Sequence, residues 1–427
     1  MKKTVIFLIA FIMLLLGGCD TAREENERGV DVNRSFIHYN TFVLSTETQE
    51  TIFFAGWQDY FIKFVDKETG IGGVLCGKPE CAHNDKNCNA YMTTYARGLF
   101  VEGERLYWVN LEKKDSYGCV VYSAALDGTD RRVDAQIPRE YIPTNSGYIN
   151  VILKDGYLYF GCVKSIVEDG VDKDFNYVFA FPLIGDQEPL VILEERAENS
   201  QTNGVPMQVY GDSLYFITSD LDDSATQADL YNVQLRQYDM NSGELETLYQ
   251  IDRTDMHRMT ELWVLDDGVI FCGYGNDYMS IGIYKFYFES GECVRIFENP
   301  EMFVNKTAAP TWTGIADNLV TSYGITNNDG VYDFDVVIKN FDGTVLVNGT
   351  YELDLRQECA FYGSHFVFLL GRDEENAYYA FTAPPYAAGY SYSDKGISNV
   401  TTIIQVALDG SGARVMCTQE EYIEFSA

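Results

Sequence analysis

The sequence predicts an all-β fold, a single β-propeller of seven four-stranded blades, and three observations lead to it. A short apolar and aromatic strand recurs seven times along the 427 residues. Its centres fall at residues 53, 107, 159, 215, 270, 320 and 367, a spacing of about 50 that belongs to propeller blades. No long segment shows helical periodicity.

In chain order the repeated strands are Ile52-Phe53-Phe54, Leu106-Tyr107-Trp108, Leu158-Tyr159-Phe160, Leu214-Tyr215-Phe216, Val269-Ile270-Phe271, Leu319-Val320-Thr321 and Phe366-Val367-Phe368. Such residues suit a pleated, half-buried surface. Turn pairs precede most of them: Gly103-Glu104, Asp155-Gly156, Gly211-Asp212 and Asp267-Gly268. Each is read as strand 2 of its blade. A second strand, a turn and a third strand follow, as in Leu126-Asp127-Gly128-Thr129, Asn241-Ser242-Gly243, Glu289-Ser290-Gly291 and Leu408-Asp409-Gly410-Ser411. Asp-Gly and Ser-Gly pairs admit the positive φ of hairpin turns. Sheets of this kind bury their faces against one another around an axis, whereas unrelated β-sandwiches have no reason to keep one period. The propeller is expected over residues 37–427, with Tyr422-Ile423-Glu424-Phe425 placed to close the ring as a strand beside the first blade.

The N-terminus has a different grammar. Lys2 and Lys3 precede an apolar run over residues 5–16, then Leu16-Gly17-Gly18-Cys19. That is the order of a secretory signal, and the run is shorter than the ~20 residues of a membrane-spanning helix. The signal is expected over residues 1–18 and a flexible tether over 19–36. From 20 to 34 the chain is charged and nearly free of large apolar residues, so burial cannot offset its chain entropy.

The composition, 46% hydrophobic and 14% aromatic, is that of a globular protein. The formal charge is −33, or −35 once Lys2 and Lys3 leave with the signal. Such a field repels nucleic acid and anionic headgroups. With no basic stripe either, nucleic-acid binding is excluded, leaving a glycan, a peptide or an envelope protein as partner.

In an antiparallel blade the connections from strand 2 to 3, and from strand 4 to the next blade, share one face. Inserts are expected there at residues 110–118, 164–176, 220–228 and 372–399. The last carries Pro384-Pro385-Tyr386-Ala387-Ala388-Gly389-Tyr390-Ser391-Tyr392. Tyr386, Tyr390 and Tyr392 are the candidate ligand-binding residues, since tyrosine offers a flat face and a hydroxyl at small entropic cost. The bland alternative folds these rings back onto the blade. The acidic runs Asp220, Asp222, Asp223 and Glu168, Asp169, Asp172, Asp174 read as solvated loops before calcium ligands.

The sharpest local feature is Cys76, Cys81, His83 and Cys88 within one short loop, expected after strand 4 of blade 1 and therefore on the same face. Two chemistries compete. Three thiolates and an imidazole form a tetrahedral zinc set, though the spacing matches no zinc knuckle. Outside the cytoplasm, a disulfide among the three cysteines is the commoner outcome. Without Cys19, nine cysteines remain, so one at least lacks an intramolecular disulfide partner. Cys119, Cys162, Cys272 and Cys293 lie in or beside apolar strands and read as core residues. The four histidines, His38, His83, His257 and His365, join no triad, nucleophile elbow or zinc-protease helix. No catalytic residue is assigned. A carbohydrate-active propeller enzyme, with carboxylates drawn from different blades, is the alternative to a binding module.

Two family resemblances follow from these motifs. Leu16-Gly17-Gly18-Cys19 resembles the lipobox of bacterial lipoproteins, which implies cleavage before Cys19 and acylation of its thiol. The chain would then be lipid-anchored in the cell envelope, on the outer side of the cytoplasmic membrane. Leu106-Tyr107-Trp108-Val109 with Ala124-Ala125-Leu126-Asp127-Gly128-Thr129 resembles the Tyr-Trp-Thr-Asp propeller repeat of low-density-lipoprotein-receptor relatives, and of bacterial lipoproteins carrying a related propeller. Blades 3, 4 and 7 match it in part and blade 6 poorly. Val109-Asn110 stands where the repeat has Thr-Asp. The resemblance implies a propeller used mainly for binding.

Overall fold

The structure is a computed structural model. It describes residues 36–37, 44–55, 60–83, 86–92, 96–111, 117–142, 149–168, 171–183, 188–197, 205–221, 231–251, 256, 258–274, 280–298, 312–316, 319–328, 331–354, 366–383 and 397–422. Seven antiparallel sheets form seven blades of a propeller.

Blade 1 holds β1 (Phe36–Ile37), β2 (Leu44–Glu47), β3 (Thr51–Ala55), β4 (Lys63–Asp66) and β5 (Gly72–Val74). Blade 2 holds β6 (Ala96–Glu102), β7 (Arg105–Leu111), β8 (Tyr117–Ala125) and β9 (Arg132–Pro138). Blade 3 is β10 (Ile149–Lys154), β11 (Tyr157–Glu168), β12 (Val171–Pro182) and β13 (Leu190–Ala197). Blade 4 is β14 (Met207–Tyr210), β15 (Ser213–Leu221), β16 (Tyr231–Asp239) and β17 (Leu245–Gln250). In blade 5 come β18 (Arg258–Leu265), β19 (Gly268–Tyr274), β20 (Ser280–Tyr287) and β21 (Cys293–Glu298). Blade 6 has β22 (Trp312–Ala316), β23 (Leu319–Asn328), β24 (Val331–Asn340) and β25 (Val345–Asp354), and blade 7 has β26 (Phe366–Arg372), β27 (Asn376–Ala383), β28 (Ile397–Ala407) and β29 (Ala413–Tyr422). Among the described residues no helix is long and apolar enough to cross a membrane.

The first strands contact one another in a closed circuit, β2, β6, β10, β14, β18, β22, β26 and back to β2. They therefore face the axis. Six repeated strands are strand 2 of their blades, as expected. The seventh is not: Phe366-Val367-Phe368 belongs to β26, the axial strand, and strand 2 of blade 7 is β27 with Tyr378, Tyr379 and Phe381. Both strands are buried on both faces, so hydrophobicity alone does not separate them.

Of the segment expected to close the ring, only Tyr422 is among the described residues. Residues up to Tyr422 form β29, which pairs with β28 inside blade 7, while residues 423–425 lie outside the described residues. Among the described residues each blade is built from consecutive strands, and blades 1 and 7 meet through side chains. Ile52, Phe54 and Val65 of blade 1 pack with Phe368, Leu370, Tyr378, Ala380 and Ile403 of blade 7, and Ser45 Oγ donates to Leu370 O at 3.0 Å. The Gln419 amide donates to Phe64 O at 3.2 Å.

Five of the turns from strand 3 to 4 share one device. Asp66, Asp127, Asp239, Asp342 and Asp409 each accept backbone N–H bonds from the residues just after them. These bonds fix the turn before the outer strand begins. The Thr69 hydroxyl, Thr129 hydroxyl, Ser242 amide, Thr344 amide and Ser411 hydroxyl are the main donors that hold the respective carboxylates below their ordinary pKa. Between β10 and β11 the expected Asp155-Gly156 pair has φ of 50° and 75°, the left-handed pair that a tight hairpin requires.

Stability should therefore fall on both sides of neutrality. The five turn carboxylates contribute above their unfolded pKa of about 3.9, and that contribution is lost as pH falls through the lower folded values. Burial pushes Tyr159 and Tyr177 up to about 12. Their contribution is complete below the unfolded value of about 10 and is lost as pH rises through the folded ones. Urea midpoints measured across pH should show both limbs; an unchanged midpoint on the acid limb would remove the turn carboxylates as its cause.

Candidate functional site

Two regions bear on function, the loop end of the propeller and the cysteine loop of blade 1. The loop end carries the connections from strand 2 to 3. In blade 3, residues 164–176 are not a free insert: β11 and β12 stay paired out to Glu168↔Val171, past the last β10 partner, Cys162. The β-branched Ile166 and Val167 and the aromatic Phe175 suit this pairing beyond the core. Glu168, Asp172 and Asp174 thus lie on paired strand, and Asp169 lies outside the described residues. Blades 4 and 6 extend likewise, with Leu221↔Tyr231 and Asn328↔Val331 beyond the reach of β14 and β22. At the tip of the blade 3 hairpin Val167 is 69% exposed. In blade 7 the connection between β27 and β28 is residues 384–396, shorter than the expected 372–399 because Asn376–Ala383 is strand. Tyr386, Tyr390 and Tyr392 lie on that connection and, like Asp222, Asp223 and Cys19, outside the described residues.

The cysteine loop follows β5, as expected. Leu75 N donates to Ile62 O at 2.9 Å, Ile62 N to Ala90 O at 3.0 Å and Met92 N to Tyr60 O at 2.8 Å. After the loop, the chain resumes antiparallel pairing on the same outer edge of blade 1, with a bridge between Phe61 and Tyr91. The loop is an excursion from the outer strand. It docks sideways onto the turn between β8 and β9 of blade 2.

That docking is close. Gly77 N and Asn89 Nδ2 both donate to Gly128 O, at 3.2 and 2.8 Å. A Cβ on Gly77 would lie 2.3 Å from Thr129 Cγ2, and one on Gly128, whose φ is +78°, 2.7 Å from the Leu75 carbonyl. Only glycine permits this approach at both positions. Across the seam, Arg131 donates to Cys88 O at 3.0 Å while its guanidinium lies over Tyr122 at 4.7 Å and Trp108 at 5.7 Å. Lys78 Nζ donates to Asn87 O at 2.6 Å and ties the two arms of the loop together.

Inside the loop, one ligand atom from each of Cys76, Cys81, His83 and Cys88 lies within 4.8 Å of all the others. Cys88 is buried and the other three are half-buried. Cys88 Sγ is 3.5 Å from His83 Nδ1. His83 has φ of 52°, a left-handed conformation that a non-glycine residue adopts at a cost of about 1 kcal/mol. Burial opposes ionisation of Cys76, but the Lys78 and Asn89 amides and the Cys88 and Cys81 thiols outweigh it and lower its pKa. Burial pushes the Cys88 thiol up. Within the group, Cys76 is the thiol whose ionisation its neighbours ease. All eight described cysteines carry free thiols. Cys119, Cys162 and Cys272 are buried in blade cores as expected, and burial pushes Cys162 up to about 12; Cys293 is only half-buried.

Sequence reasoning found the four side chains and missed what holds them. Asn89 and Arg131 carry no motif, and Asp127-Gly128-Thr129 was legible only as a hairpin turn, not as a seat for the neighbouring blade.

No family model matches the chain and no curated protein matches it. Solved structures similar to it include the β-propeller domain of the trilobed protease from Pyrococcus furiosus, 11% identical, covering 88% of this chain and 93% of that one at a TM-score of 0.40. An acylaminoacyl peptidase from Pyrococcus horikoshii is also 11% identical, covering 90% of this chain and 52% of the peptidase at a TM-score of 0.45. A polysaccharide lyase described as an ulvan lyase is 10% identical, covering 87% and 92% of the two chains at a TM-score of 0.46.

Proposed function

We propose that this chain is a surface lipoprotein, anchored through Cys19, whose propeller presents its loop end as a binding face for glycan or peptide. The observation that supports the reading is the loop end itself, where the hairpins of blades 3, 4 and 6 extend past the reach of their first strands; the same end carries the connection from β27 to β28 with Tyr386, Tyr390 and Tyr392. Loops on a rigid sheet scaffold are the usual seat of recognition, and the Tyr-Trp-Thr-Asp-like repeat of blade 2 agrees with a binding role.

Two measurements test this. Cys19→Ala should abolish incorporation of labelled fatty acid and release the chain from the membrane fraction; retained acylation elsewhere would sink the anchor. On arrays of envelope glycans and peptides, the wild-type chain should bind a restricted set, and the triple variant Tyr386→Ala, Tyr390→Ala, Tyr392→Ala should lose at least about tenfold in affinity, or 1.4 kcal/mol. Unchanged binding by the triple variant would move the site off that connection.

A further inference from the structure

We propose that Cys76, Cys81, His83 and Cys88 form a closed tetrahedral zinc site that clamps the outer strand of blade 1 to blade 2. Zinc takes thiolate at about 2.3 Å and imidazole nitrogen at about 2.0–2.1 Å. In a tetrahedron those bonds set an S···N edge of about 3.6 Å and S···S edges of about 3.8 Å. The observed Cys88 Sγ to His83 Nδ1 separation is 3.5 Å, and no pair in the set exceeds 4.8 Å. The four atoms already stand nearly at the corners of the coordination sphere. A disulfide brings two sulfurs to about 2.05 Å and leaves a third thiol and the imidazole without a role; the metal uses all four.

Donor chemistry selects the ion. Three soft thiolates with one imidazole suit zinc over magnesium or calcium, which require oxygen ligands. With four protein ligands no position remains for water or substrate, so the site is structural. His83, whose ring joins the set, has a left-handed backbone, and such strain persists where the surroundings over-determine it. The loop closed by the ion is also the loop seated on Gly128 and held by Arg131. Fixing the ligands thus fixes a contact between two blades.

The test uses the full chain purified anaerobically and without chelator. It should carry close to one zinc per chain, and Cys293→Ser should keep that content while Cys76→Ser and Cys81→Ser lose it. Because either variant could fail to fold, the wild-type chain is also stripped of metal and titrated with cobalt. Intense visible bands of tetrahedral, thiolate-bound cobalt, saturating at one ion per chain and displaced by zinc, are expected. Chelation should lower the thermal midpoint by several degrees, since metal bound to the folded state stabilises it by mass action. Purification without zinc, with Cys76, Cys81 or Cys88 in a disulfide by peptide mass, would overturn the proposal; so would the pale spectrum of octahedral cobalt.

Discussion

Lys67→Met is expected to destabilise the propeller by about 3–5 kcal/mol, the cost of breaking a buried ion pair from one side. Lys67 Nζ lies 2.8 Å from Glu47 Oε2, with side-chain exposures of 7% and 16%, and donates to Thr48 O at 3.0 Å. Its ammonium stands 5.6 Å from the Tyr378 ring of blade 7. The Tyr378 hydroxyl donates in turn to Asp373, and Arg372 N approaches Glu47 at 3.5 Å. Among the described residues no strand is shared between the chain ends, and this network and the apolar cluster around Ile52 and Phe368 join blades 1 and 7. Removing the lysine leaves the Glu47 carboxylate, 16% exposed, without its cation. In the double variant Lys67→Met, Glu47→Gln the stranded charge is gone, so urea unfolding should show a loss well below that of Lys67→Met alone. A loss under about 1 kcal/mol for the single variant, the behaviour of an exposed pair, would mean that the seam is held elsewhere.

The contrast between this seam and the blades explains what the sequence reveals. A blade is local: strands and turns follow one another within about 50 residues, and apolar runs ending in Asp-Gly or Ser-Gly state their own boundaries. Six of the seven strand assignments follow from that. The assignment of Phe366-Val367-Phe368 shows the limit, because an axial strand buried on both faces reads the same as the strand beside it. Glu47 and Arg372 are 325 positions apart, and nothing in either neighbourhood announces the other. The cysteine loop lies between these cases. Its ligands declare themselves by type and proximity, yet its docking on blade 2 depends on residues 90–92 resuming the edge of blade 1. That pairing was concealed because the loop interrupts the strand pattern.

The second large effect is expected at Trp108, where Trp108→Ala should cost about 3–5 kcal/mol. Its side chain is fully buried in a cluster that joins Phe53, Ile62 and Leu75 of blade 1 to Leu99, Leu106 and Ala124 of blade 2, together with Cys88, Ala90 and Met92 from the cysteine excursion. The indole stacks on Tyr122 at 5.7 Å and 15°, and the two rings together carry the Arg131 guanidinium. Truncation opens a cavity at the seam and also removes part of the surface that orients Arg131 toward the Cys88 carbonyl. Trp108 and Arg131 should therefore be coupled: in a cycle of Trp108→Ala, Arg131→Met and the double variant, the interaction energy should fall at about 0.5–3 kcal/mol. Trp108→Phe keeps a stacking partner for Tyr122 and should recover much of the loss. If the singles add with no coupling, Arg131 holds Cys88 without help from the aromatic pair, and the cavity alone accounts for the cost.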